Sequence, residues 1–247
     1  MSTIYSGCSS FYNRQWQGIF YPEGMPPREW FAHYCTQFNT YELNSSFYTF
    51  PTSKSLHIWY RKSPEGFKYS IKAPKIITHT KKFAGCETEL AEFYAACESG
   101  LKDKLACVLF QLPPSYHYSP KRLELIIASM DSGFKNTVEF RHASWWTDEV
   151  FETFRQHKLI FCSVNYPGLP TDIIATTRRA YVRLHGTPRL FYSEYSDDDL
   201  LSMLHQLDSL HVNEAFMYFN NTASTAGIVN ALAVQRMQIE HPEQCSM

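Results

Sequence analysis

The feature that most constrains this chain is a repeated alternation. Eight short segments rich in β-branched and aromatic residues recur along it: IYSGCS, TYELNSSFY, KYSIKAP, ACVLFQLPP, NTVEFRH, IFCSVNYP, AYVRLHG and AFMYFNN. Stretches with helical periodicity lie between most of them. Strands that alternate with helices argue for βαβ units and a parallel sheet. Eight such pairs in 247 residues match a closed (β/α)8 TIM barrel, an α/β fold, because an open doubly wound sheet of this length carries fewer strands. Residues 1–240 read as a single domain in which 170–179 forms a shortened or irregular helix, and 241–247 reads as a frayed tail.

Helix starts support the same parse. Thr52 precedes KSLHIWY, Ser119 precedes Pro120, Thr147 precedes Asp148 and Glu149, and Ser196 precedes three aspartates. Each supplies a side-chain oxygen for an unpaired helix N–H, and the acidic residues suit the positive end of the helix dipole. Val150, Phe151 and Phe154 share one helix face, as do Leu200, Leu201, Leu204 and Leu207, so both stripes are expected against the sheet.

Composition removes several classes of function. The formal net charge is -1, which supplies no general field for nucleic acid or an anionic membrane, so any anion site must be local. The start MSTIYSGCSS lacks the pattern of a signal peptide, and no segment approaches the roughly 18 apolar residues of a membrane span. A soluble cytoplasmic protein without a membrane partner is expected. The seven cysteines are scattered and never spaced as CxxC, which predicts reduced thiols. G-x-G-x-x-G, the Walker phosphate loop and the G-x-S-x-G elbow are all absent from the sequence.

Active sites of eightfold barrels lie at the C-terminal ends of the strands. Here those ends are consistently polar: Glu42 and Asn44 on the second strand, Lys72 on the third, Gln111 on the fourth, and Glu139, Arg141 and His142 on the fifth. Asn165 ends the sixth, Arg183 and His185 the seventh, Asn220 and Asn221 the eighth, and His79 follows the third. Side chains alternate across a strand, so Val138 and Phe140 facing the helices would leave Glu139 and Arg141 facing inward. The same parity turns Arg183 and His185 inward; for Asn220 and Asn221 it leaves the choice open.

Lys72, Arg141 and Arg183 outnumber Glu42 and Glu139 by one positive charge, which suits an anionic ligand. Glu139 and Glu42 are then candidate acid/base groups, assisted by His185 or His79, with Asn44, Gln111, His142, Asn220, Asn221 and Trp145 as further ligand contacts. The structural alternative is a self-satisfied ion-pair network plugging the barrel. His142 could equally bond within the helix layer, and Trp145 could pack on the rim. A mixed His/carboxylate site for a divalent metal has no local spacing in its favour, so no cofactor or metal is expected.

Taken together, GCSSFYNRQWQGIFYP, YELNSSFY, FKYSIKAP with ITH following, VLFQLPPSY, VEFRHASWW, YVRLHG and YFNNT resemble the DUF72 (YecE-like) family from about residue 4 to about residue 233. That resemblance implies a TIM barrel and names no substrate. Its motifs fall at Glu42, Asn44, Lys72, His79, Gln111, Glu139, Arg141, His142, Arg183, His185, Asn220 and Asn221; at Asn165 an acidic residue is expected in relatives. The leading expectation is an enzyme of hydrolase or lyase type acting on a small anionic, phosphate-bearing or nucleotide-like ligand. The alternatives are a nucleic-acid-processing or nucleic-acid-binding protein, with Lys75, Lys81 and Lys82 near the mouth, and a non-catalytic ligand sensor.

Overall fold

The computed structural model describes residues 2–240. Eight strands run in parallel: β1 Thr3–Cys8, β2 Thr40–Leu43, β3 Lys68–Lys72, β4 Leu105–Gln111, β5 Asn136–Glu139, β6 Ile160–Asn165, β7 Arg179–Leu184 and β8 Glu214–Phe219. Their hydrogen-bonded order is β1-β8-β7-β6-β5-β4-β3-β2, a nearly closed barrel. Seven α-helices are present among the described residues: α1 Trp30–Gln37, α2 Ser53–Lys62, α3 Glu87–Leu101, α4 Pro120–Ser129, α5 Asp148–Gln156, α6 Asp197–Ser209 and α7 Ala226–Glu240.

The expected helix starts are real caps. Thr52 Oγ1 accepts from Ser55 N at 3.1 Å, Ser119 from Arg122 N, Thr147 from Val150 N, and Ser196 from Asp199 N at 3.2 Å with Asp199 bonding back. Val150, Phe154, Leu200, Leu204 and Leu207 are buried in the layer between helices and sheet.

The shortened or irregular helix expected over 170–179 is not formed: residues 166–178 contain no helix, and β7 begins at Arg179. Pro167, Gly168 and Pro170 explain this, since proline removes amide donors and glycine favours turns. The chain instead lies along the outside of β6 through side-chain bonds. Thr176 Oγ1 accepts from Phe161 N at 2.9 Å and donates to Leu159 O at 2.6 Å, while Ile174 N donates to Ser163 Oγ at 2.8 Å.

The ladder begins at β1 and ends at β2, and a tyrosine from α1 bridges that seam. The Tyr34 hydroxyl accepts from Cys8 N at 2.8 Å and donates to Thr40 O at 3.0 Å, so one side chain satisfies a donor on one strand and an acceptor on the other. The strands approach so closely here that a Cβ on Gly7 would lie 2.6 Å from Thr40 O. Glycine at position 7 is therefore a packing requirement.

Inside the barrel, Cys107, Leu109, Cys162, Tyr181, Phe216 and Tyr218 form a second apolar cluster, separate from the helix-facing core. The Tyr218 hydroxyl meets Thr40 Oγ1 at 2.6 Å and Ser70 Oγ at 3.0 Å. This plug fills the barrel below the mouth and leaves the strand ends as the place where polar groups converge. The six cysteines among the described residues are free thiols, and no described helix is long and apolar enough to cross a membrane.

Candidate functional site

Strand parity places the site. Val138, Phe140, Val182 and Leu184 face the helices, while Glu42, Glu139 and Arg183 converge inside the mouth, each at most 2% exposed. Met217 and Phe219 also face outward, so Asn220 continues the inward row of β8 and Asn221 does not.

Arg183 is the centre of the network. Its Nε donates to Glu42 Oε1 at 2.8 Å and its Nη2 to Glu42 Oε2 at 2.7 Å, a two-point pairing of planar groups. Nη1 donates to Glu139 Oε2, and Nη2 also reaches Asn220 Oδ1 at 2.6 Å. Tyr181 and Asn44 complete the shell of Glu42, donating to Oε1 at 2.8 Å and to Oε2 at 3.1 Å. A buried carboxylate left without such partners would be costly, and here both are paired.

Arg141 links this network to open space. Its Nε donates to Glu139 Oε1, its Nη2 donates to His185 Nε2 at 3.0 Å, and its guanidinium carbon lies 4.2 Å from the Tyr166 ring centroid. Because a guanidinium only donates, His185 Nε2 is the acceptor and the ring proton sits on Nδ1, which is buried without a partner among the described residues. Burial, reinforced by Arg141 and Arg183, holds the His185 pKa well below its ordinary range, so the ring is neutral. Burial opposes ionisation of Glu139, but Arg141 and Arg183 outweigh it and keep that carboxyl well below the usual carboxylate range.

Lys72 differs from both arginines. Its Nζ donates to Gln111 Oε1 at 2.8 Å and lies 4.1 Å from the Phe47 ring centroid, and neither partner carries charge. Burial, then Arg183, brings its pKa down to about 8 against the opposing pull of Glu139 and Glu42. Together with Asn44, Gln111, Arg141, Arg183, His185 and Asn220, it lines a cavity of about 320 Å³ at the mouth. The polar cluster therefore contains a self-paired core and also an open space faced by Lys72 and Arg141.

Four sequence candidates sit elsewhere. His79 packs edge-on against Phe47, with ring centroids 4.9 Å apart, and bonds Thr78 Oγ1 at 2.9 Å; burial, Lys72 and Lys75 bring its pKa down to about 4. His142 caps the turn at Ala143–Trp145 and stacks on His117 at 3.8 Å. Trp145 is fully buried, stacked on Phe140 at 4.0 Å and donating from Nε1 to Tyr116 O at 2.6 Å. Asn221 donates to Ser193 O and Asn230 Oδ1, tying the loop after β7 to α7. Asn165 likewise accepts from Thr187 Oγ1 and the Tyr195 hydroxyl, away from the mouth cavity.

Tyr48, Tyr166 and Phe191 also line the cavity and were not singled out by sequence. Tyr48 lies shortly after β2 and Tyr166 directly follows β6, so position beyond a strand end was the available signal. Phe191 lies in the loop after β7 and carried none. Among the described residues no group of three or more His, Cys, Asp or Glu side chains is arranged to hold a metal ion.

An eight-stranded parallel barrel with a charged, aromatic-lipped mouth is the class this fold and site define. The chain matches the family described as "Protein of unknown function DUF72" over residues 5–246, and it belongs to that family. A DUF72 family protein of Thermotoga maritima MSB8 superimposes with a TM-score of 0.86 at 29% identity, covering 96% of this chain and 99% of that one. One from Enterococcus faecalis V583 shares the fold at 16% identity, with a TM-score of 0.81 and coverage of 95% and 94%. The UPF0759 protein YunF of Bacillus subtilis (strain 168) is 24% identical over 183 residues, 67% of this chain; the match spans 65% of that relative's length.

Proposed function

We propose that the barrel mouth binds a small phosphate- or carboxylate-bearing ligand, with Lys72 and Arg141 as its cationic contacts, and carries out proton-transfer chemistry of hydrolase or lyase type. The observation that carries this reading is the Lys72 ammonium, which faces a cavity of about 320 Å³ with only an amide oxygen and an aromatic ring as partners. An anion supplies the charged partner it lacks. Glu42 and Glu139 act as positioning residues, since both are fully buried and engaged by arginine. Lys72, with its pKa brought down to about 8, is the group suited to move a proton near neutral pH.

The experiment is a calorimetric titration with inorganic phosphate and with short phosphorylated and carboxylated compounds. Lys72→Met should weaken the bound anion by about tenfold or more, the size of a lost hydrogen bond to a charged group. Equal affinity in Lys72→Met and the parent chain would remove the reading. Tyr48, 83% exposed on the cavity lip, favours as a second reading a nucleotide-like ligand whose base stacks there.

A further inference from the structure

Two lysines of this chain have their ammonium groups withdrawn from bulk water, and their surroundings differ in kind. Lys104 Nζ donates to Tyr60 O at 2.8 Å, Ser63 O at 2.7 Å and Ser63 Oγ at 3.0 Å. Those acceptors sit at the negative end of α2 and support the ammonium, although burial still draws its pKa down. Lys72 Nζ has one amide oxygen and an aromatic face, and it shares its cavity with two guanidinium groups. Like charge beside a half-buried amine favours the neutral form, which is the nucleophile.

We propose that Lys72 forms a covalent imine with a carbonyl compound that also carries an anionic group, the anion being held by Arg141 in the same cavity. This rests on the anion site proposed above and narrows its ligand to aldehydes and ketones bearing phosphate or carboxylate. The neutral Lys72 amine adds its lone pair to the carbonyl carbon, the C=O π pair moves to oxygen, and a proton passes from nitrogen to that oxygen. The resulting hydroxyl leaves with the remaining amine proton as water, giving C=N. Atoms balance without any oxidant or metal. The imine then serves as an electron sink for cleavage or proton loss at the adjacent carbon, which is lyase chemistry. With a pKa of about 8, roughly a tenth of Lys72 is the neutral nucleophile at pH 7, far more than for an ordinary lysine. Exposed Lys75 and the Lys81–Glu89 ion pair at 2.5 Å supply internal comparisons.

The test incubates the wild-type chain with dihydroxyacetone phosphate or pyruvate and sodium cyanoborohydride, which reduces an imine to a stable secondary amine, and locates the added mass by peptide mapping. Inorganic phosphate binding is measured calorimetrically on the same preparation. The expected result is one dominant adduct on Lys72, formed about tenfold or more faster than on Lys75, slowed by excess phosphate, and missing from Lys72→Arg. If phosphate binds but Lys72 is labelled no faster than exposed lysines, the imine is overturned while the anion site stands. If neither phosphate binding nor selective labelling is found, both fall. The decisive comparison needs only the unmodified sequence, so a poorly folding variant does not blunt it.

Discussion

Arg183 and Glu42 meet edge to edge at the centre of the barrel mouth, Nε to Oε1 at 2.8 Å and Nη2 to Oε2 at 2.7 Å, with neither side chain more than 2% exposed. A pair so buried is held by mutual need: each ion is tolerated because the other is present. Glu139 and Asn220 complete the arginine's shell, which fixes the wall against which Arg141 is set.

Replacing Arg183 therefore strips buried Glu42 of its cationic partner and leaves Glu139 with Arg141 alone. Arg183→Met should lower stability by about 3–5 kcal/mol in urea unfolding at neutral pH. Arg141→Met, at a more open position, should cost clearly less. A loss for Arg183→Met no greater than for Arg141→Met would contradict the central role of this pair.

Glu139 gives the network an acid-side signature. Its folded pKa lies below the ordinary 4.5, so as pH falls the unfolded chain takes up the proton first. The stabilisation is fully present above that ordinary value and is lost as pH drops below it. Glu139→Gln should be less stable than the parent at neutral pH, and the gap should narrow in acid. Unfolding midpoints measured at both pH values check this; a gap that widens in acid contradicts it.

Lys72 governs the alkaline side of ligand binding. In the free protein it loses its proton through about 8, so affinity for inorganic phosphate should decline as pH rises past that value. Lys72→Met should bind more weakly and lack this decline once the ionisation of phosphate itself is subtracted. A parent chain with flat affinity through the same range would mean that the ammonium does not touch the anion.

One hydroxyl bridges the backbones of β1 and β2. Tyr34→Phe keeps the tilted ring contact with Phe38, with centroids 4.7 Å apart, but leaves Cys8 N and Thr40 O without their bridging partner. The expected cost is roughly 1–3 kcal/mol, the penalty of unsatisfied buried backbone groups. Hydrogen exchange at Cys8 should accelerate more than at Met217, which lies within the continuous ladder of β7 and β8.

Much of the barrel was legible because alternation at Val138, Glu139, Phe140 and Arg141 is a property of strand geometry, readable from residue type alone. The same rule placed Arg183 and His185 inward. It left Asn220 and Asn221 open, because two adjacent asparagines look alike until Met217 and Phe219 are seen to face the helices. The connection over 166–178 was harder, because the side-chain bonds of Thr176 and Ser163 that tie it to β6 leave no periodic signal in the sequence. Trp145 was ambiguous for a related reason. Its position beyond β5 suits a mouth residue, but its flat stack on Phe140 draws it into the helix layer. The pairing of Arg183 with both carboxylates, which leaves Lys72 with uncharged partners, depends on distances that no spacing rule supplies.

The anion site at the barrel mouth is tested most directly by a crystal soaked with a phosphate-like anion of high scattering power, such as tungstate. One anion should lie between Lys72 Nζ and the outer nitrogens of Arg141, with Arg183 still paired to Glu42 and Glu139. A mouth cavity that stays empty at concentrations where solution binding is saturated, with the anion seated elsewhere on the surface, would contradict it.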